Sequence, residues 1–191
     1  MVTVSRKNNT RATRQPGDSI TVSAKADKGS PCIPSGSLSA ATRLELKVLG
    51  WLAQRSGSVR GIGVGGSGAY SPATIAGGSG SAQALWVADY LGQQGLYWSV
   101  SGGPTVGEPG AGFVGGIQYL TSTGNTNVGV QEVVNSSVSI GAAAAAGYGG
   151  GVDYSYQTGV VTITAGGGFG GFGGAPASLN IASVFIPVCH E

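Results

Sequence analysis

Apolar and polar positions alternate with a period of two along much of this chain. From residue 138 the even positions run Val138, Ile140, Ala142, Ala144, Ala146, Tyr148, Gly150, Val152, Tyr154 and Tyr156, while the odd positions carry Ser, Gly, Ala, Asp153 and Gln157. After Thr158-Gly159 the apolar set moves to odd positions, at Val161, Ile163, Ala165 and Phe169. Such a phase change at a glycine turn is what a β-hairpin requires, because successive side chains of a strand point to opposite faces. The five alanines at 142–146 favour helix when taken alone. Glycines and β-branched residues flank them, so the pattern predicts sheet. A straight strand of such length is unusual, and a bend or bulge is expected near 149–151.

The same alternation predicts strands over 20–26 (ITVSAKA), 42–49 (TRLELKVL), 59–70, 113–123 and 179–188 (LNIASVFIPV). In 42–49, Leu44, Leu46 and Val48 would share one face, opposite Arg43, Glu45 and Lys47. A hairpin is expected over 84–100, turning at Gly92-Gln93-Gln94-Gly95, followed by a loop over 101–112. Residues 124–127 (GNTN) would turn the chain into a further strand from Val128. The expected fold is all-β and antiparallel, a Gly-rich barrel or sandwich. Residues 20–191 form one domain, and 1–19 form a basic extended arm.

Composition sharpens this picture in one respect. With 41% hydrophobic residues and a net charge of only +2, the chain does not have a disordered composition despite its 37 glycines. All ten Lys and Arg residues lie at or before Arg60, so residues 1–60 sum to +7 and the remainder to −5. A long stretch without cations is expected to face lipid or neighbouring copies, where charge is costly. In the arm, Arg6, Lys7, Arg11 and Arg14 are candidates for contact with nucleic acid or anionic lipid. The aromatic residues Trp86, Tyr90, Tyr97, Trp98, Tyr148, Tyr154, Tyr156, Phe169 and Phe172 are candidates for a membrane or subunit interface.

Catalytic signals are weak. The single histidine, His190, is next to last, whereas hydrolytic triads and most metal sites need a held imidazole. Gly61, Gly63 and Gly66 satisfy GxGxxG in a region rich in glycine, with no convincing helix to follow. Cys32 and Cys189 sit in no metal-ligand spacing and are instead a candidate disulfide that would close most of the chain. No cofactor or metal is expected, and the chain is expected not to be an enzyme. The start, MVTVSRKNNTRATR, shows no apolar stretch after its basic run. No uninterrupted apolar run reaches the roughly 18–20 residues of a membrane helix, so a membrane role would fall to strands or to surface contact.

Two passages, GIGVGGSGAYSPATI at 61–75 and VGVQEV at 128–133, resemble the mycobacterial-type octameric porins in sequence and in order. The resemblance implies an oligomeric goblet whose β-hairpins jointly line one pore. The chain departs from that family in lacking adjacent carboxylates at a constriction, having only the separated Asp89 and Glu108. Two readings follow: an oligomeric membrane pore at an outer membrane or outside the cell, or a structural subunit of a shell or filament whose arm contacts neighbours or nucleic acid. Both require copies of the chain to associate.

Overall fold

The computed structural model describes residues 31–73, 76–105, 110–123, 127–136, 138–172 and 177–189. The arm, with Arg6, Lys7, Arg11 and Arg14, and the strand expected over 20–26 lie outside the described residues. The described residues belong to one compact unit, Pro31–Glu191. Its strands are β1 (Ile33–Pro34), β2 (Arg60–Ala73), β3 (Ala76–Ala88), β4 (Gln94–Thr105), β5 (Gly110–Ser122), β6 (Val138–Ser155), β7 (Val160–Phe172) and β8 (Ala177–Cys189). They form one sheet in the order β1-β8-β4-β3-β2-β5-β7-β6, antiparallel except for the two-residue pairing of β1 with β8. The described residues are thus mostly β and sandwich-like, with two α-helices, α1 (Ala40–Ser56) and α2 (Val130–Val134).

Helix α1 replaces the strand expected over 42–49. The eight-residue alternation is real, but the helical spacing of Leu46, Leu49, Gly50 and Ala53 prevails, and those four residues are the buried ones. The Ser39 side chain accepts a hydrogen bond from the Thr42 N–H at 3.0 Å, capping the start. Gly57 ends the helix in the left-handed conformation at φ 64°. Helix α2 likewise replaces the strand expected from Val128. Its Glu132 carboxylate accepts from the Gly129 N–H at 2.8 Å, and Val130 and Val133 are buried. The loop expected over 101–112 is shorter, since β4 runs to Thr105 and β5 begins at Gly110. The turn between β3 and β4 falls at 89–93, slightly before the expected position.

Strand β6 turns back on itself. An ideal Cβ on Gly151 would lie 3.1 Å from the Ala143 Cβ, and one on Gly149 would lie 2.5 Å from the Ala145 Cα. In a straight strand residues eight apart are about 26 Å apart, at 3.3 Å each. The reversal is centred on Gly147, at φ 85°, two residues before the expected bend. Val138, Ser139 and Ile140 then pair antiparallel with Leu179, Ser178 and Ala177 of β8. The tie between chain ends is the Cys32–Cys189 disulfide, with Cα atoms 5.7 Å apart. It fixes β1 beside the end of β8.

The apolar core gathers where the 89–93 turn meets α2. Val59, Leu85, Val87, Tyr97, Leu120, Val128, Val130, Val133 and Val160 pack there. Asp89 is fully buried and pins this end together. Its carboxylate accepts from the backbone N–H groups of Leu91 at 3.0 Å, Gln93 at 2.8 Å and Val130 at 3.2 Å. The structure therefore gives Asp89 a structural role: it holds the β3–β4 turn against the first turn of α2.

Candidate functional site

Directly paired residues of an antiparallel sheet share a face, so the ladders sort the strands into rows. One row joins Ile186, Leu96, Trp86, Ile62, Tyr119, Ile163 and Val152. The next joins Val184, Trp98, Ala84, Val64, Ile117, Ala165 and Gly150. A third holds Ala182, Val100, Ala82, Gly66, Gly115, Gly167 and Tyr148, and a fourth holds Leu179, Gly102, Gly80, Gly68, Phe113, Phe169 and Ala146. A fifth runs through Pro104, Gly78, Tyr70 and Ala111. Across these five rows no residue is charged, and none is Ser, Thr, Asn or Gln.

This apolar face is the exposed one. Val64 is 62% exposed, Ile117 63%, Phe169 64% and Tyr148 89%. The polar residues of the same strand segments lie on the opposite, inner face. There Gln83 Nε2 donates to Ser99 Oγ at 2.9 Å, Ser81 and Ser101 share a 2.7 Å hydrogen bond, and Gln118 Nε2 donates to Thr164 Oγ1 at 3.0 Å. Gln118 and Thr164 are each only 1% exposed. The inner face thus mixes these polar groups with the buried apolar residues Leu85, Tyr97, Val114 and Leu120, whereas a water-soluble sandwich would keep polar side chains on the exposed face that is uniformly apolar here.

The interior is narrow because small side chains line much of it. An ideal Cβ on Gly116 would come within 2.7 Å of the Gly166 Cα on the neighbouring strand, an approach that only glycine permits. A cavity of about 70 Å³ remains, lined by Gln83, Ser99, Gln118, Asp153, Thr162 and Asn180, among others. Gln118 Oε1, Thr158 Oγ1 and Asn180 Oδ1 line it without a protein hydrogen-bond partner. The space is large enough to admit water, a natural partner for those oxygens.

Of the expected interface aromatics, Trp86, Trp98, Tyr148 and Phe169 share the outer face, and Tyr154 lies in the outer row that continues it through Val161. Tyr156 is 60% exposed in the β6–β7 turn. Tyr90 is half-buried in the β3–β4 turn, and Phe172 pairs with Ala143. Tyr97 does not belong with this set. It is 4% exposed and part of the core, because alternation sends it to the face opposite its neighbour Trp98. The disulfide expected between Cys32 and Cys189 is formed. Among the described residues no cluster of three metal-ligating side chains occurs. No described helix is long and apolar enough to cross a membrane, which bears on helices alone.

No family model, curated protein or solved structure matches the chain.

Proposed function

We propose that this protein is a non-enzymatic membrane-embedded β protein whose exposed apolar rows face lipid. The observation that carries the reading is the absence of any polar or charged side chain, other than Tyr and Trp, from five consecutive exposed outer rows, while the polar side chains of the same strands lie on the inner face. Membrane barrels have this arrangement, with aromatics concentrated near the edges of the apolar band. Here Trp86 and Tyr119 stand in the first row and Tyr70 in the fifth, with Trp98 in the second and Tyr148 in the third.

Lipid tolerates no open sheet edge, so the reading requires closure. Val138, Ser139 and Ile140 of β6 pair antiparallel with β8, joining the two sides of the sheet, and the reading takes this pairing as the closure of a barrel.

In the porin-like reading a conducting path is a property of several chains together. In the competing reading the same apolar rows would be covered by copies of the chain in a shell or filament. Reconstitution decides between them. The lipid reading predicts that purified protein floats with liposomes and remains with them through a carbonate wash. Regular shells or fibres in lipid-free buffer, with no protein on the liposomes, would replace it with the assembly reading.

A further inference from the structure

Helix α1 carries a second apolar face with no covering partner among the described residues. Its buried residues Leu46, Leu49, Gly50 and Ala53 face the sheet. Leu44, Val48 and Trp51 project from the opposite side and are 64%, 49% and 56% exposed. Exposure of three large apolar residues at helical spacing is costly in water unless something covers them. Beside this stripe runs the i, i+4 row Arg43, Lys47, Trp51 and Arg55, with all three cations exposed. The Arg55 guanidinium lies 5.3 Å from the centre of the Trp51 ring. Glu45 is the one acid on the helix.

The placement of α1 makes the stripe informative. An ideal Cβ on Gly50 would meet Gln94 Nε2 at 2.8 Å and the Ala88 Cβ at 4.0 Å. Ala88 and Gln94 pair with each other, and Ala88 pairs with Arg60, in the outer row next to the Trp86 row. The helix therefore lies outside the sheet at the edge of the apolar band. Its free face points away from the sheet, at the level where a bilayer's headgroups would begin. Basic residues flanking a Trp-bearing apolar stripe form the usual composition of a helix lying in the interface of an anionic bilayer.

We propose that α1 is an interfacial anchor that docks on anionic phospholipid headgroups through Arg43, Lys47 and Arg55, with Leu44, Val48 and Trp51 entering the acyl boundary. This rests on the membrane reading above, and the test separates the two. Single-tryptophan proteins retaining Trp51 (W86F/W98F) or Trp98 (W51F/W86F) are reconstituted in phosphatidylcholine, with or without roughly one-third phosphatidylglycerol. Trp98 quenching by acyl-chain bromine reports the sheet, and iodide quenching of Trp51 reports the helix. The proposal expects Trp51 to be shielded from iodide when phosphatidylglycerol is present. Each of R43Q and K47Q should lower the docked fraction relative to the undocked by about fivefold, the usual worth of one cation at an anionic surface. Trp98 quenched by bromolipid with Trp51 equally open to iodide in both lipids would overturn the anchor and leave the membrane reading standing. Shielding that is indifferent to phosphatidylglycerol and to both substitutions would overturn the headgroup contact and point to a second copy as the cover. Trp98 untouched by bromolipid would overturn both.

Discussion

A cation placed in the middle of the outer face separates a lipid-facing sheet from a wetted one by energy alone. The five apolar rows extend from Ile62 to Tyr70, eight steps or about 26 Å at 3.3 Å per residue. Strands tilted by roughly 40° turn that length into a band about 20 Å tall, close to the apolar height of a membrane barrel. Ala82 lies in the third row, about 10 Å from either edge on this estimate. Its side chain is exposed, so arginine meets no steric obstacle. At the bilayer midplane arginine costs roughly 2–4 kcal/mol, against 0–1 near the interface. Thr121, in the outer row beyond the first apolar row, supplies the interfacial control. Urea titrations in liposomes, followed by tryptophan emission, should show Ala82→Arg less stable than Thr121→Arg by about 2 kcal/mol, near thirtyfold in the folded ratio. In water a surface substitution of this kind moves stability by about 0.5 kcal/mol or less. Two variants within that margin of each other and of the parent would refute the lipid-facing assignment.

Three further outcomes follow from local geometry. Gly116→Ala should cost about 1–3 kcal/mol by forcing β5 and β7 apart, whereas Gly78→Ala, with nothing within 4 Å of its added Cβ, should be nearly neutral in the same denaturation assay. Asp89→Asn offers one acceptor oxygen where the carboxylate offers two, so Val130 or the turn N–H groups lose a partner; about 1–3 kcal/mol of stability should disappear, with faster amide exchange at 89–93 and at α2. Replacing both Cys32 and Cys189 by Ser opens a link between residues 157 apart in sequence and should lower stability by roughly 2–5 kcal/mol, read as a reduced urea midpoint.

Alternation made most of the sheet legible before any coordinates. The phase change at Thr158-Gly159 is the β6–β7 turn, and Val161, Ile163 and Phe169 do share a face. Period two assigns residues to two faces but does not say which face is inside. That depends on all the ladders together, which put large side chains on both faces: Leu85, Tyr97 and Leu120 inside, Trp98, Ile117 and Phe169 outside. Proximity groups Tyr97 with Trp98, although adjacent positions of a strand face opposite ways and Tyr97 belongs to the core. Helix α1 was masked by the short Leu44, Leu46, Val48 alternation. Its signals were Ser39 before it, Gly57 after it and the spacing of Leu46, Leu49, Gly50 and Ala53. The reversal at Gly147 depends on contact between residues four to eight positions apart along the same strand, and no local pattern encodes that distinction from a simple bend.

The central claim is that the outer rows touch lipid while the inner face is enclosed, and β5 displays both faces in succession. Spin labels introduced singly at Phe113, Ile117 and Tyr119 on the outer face, and at Val114 and Gln118 on the inner face, read this directly in liposomes. Collision rates with oxygen, which concentrates in lipid, and with a water-soluble nickel chelate are compared at each position. The account predicts a period of two, with oxygen dominant at 113, 117 and 119 and both reagents slow at 114 and 118. Nickel dominance at the three outer positions, as on a wetted sheet, would contradict it.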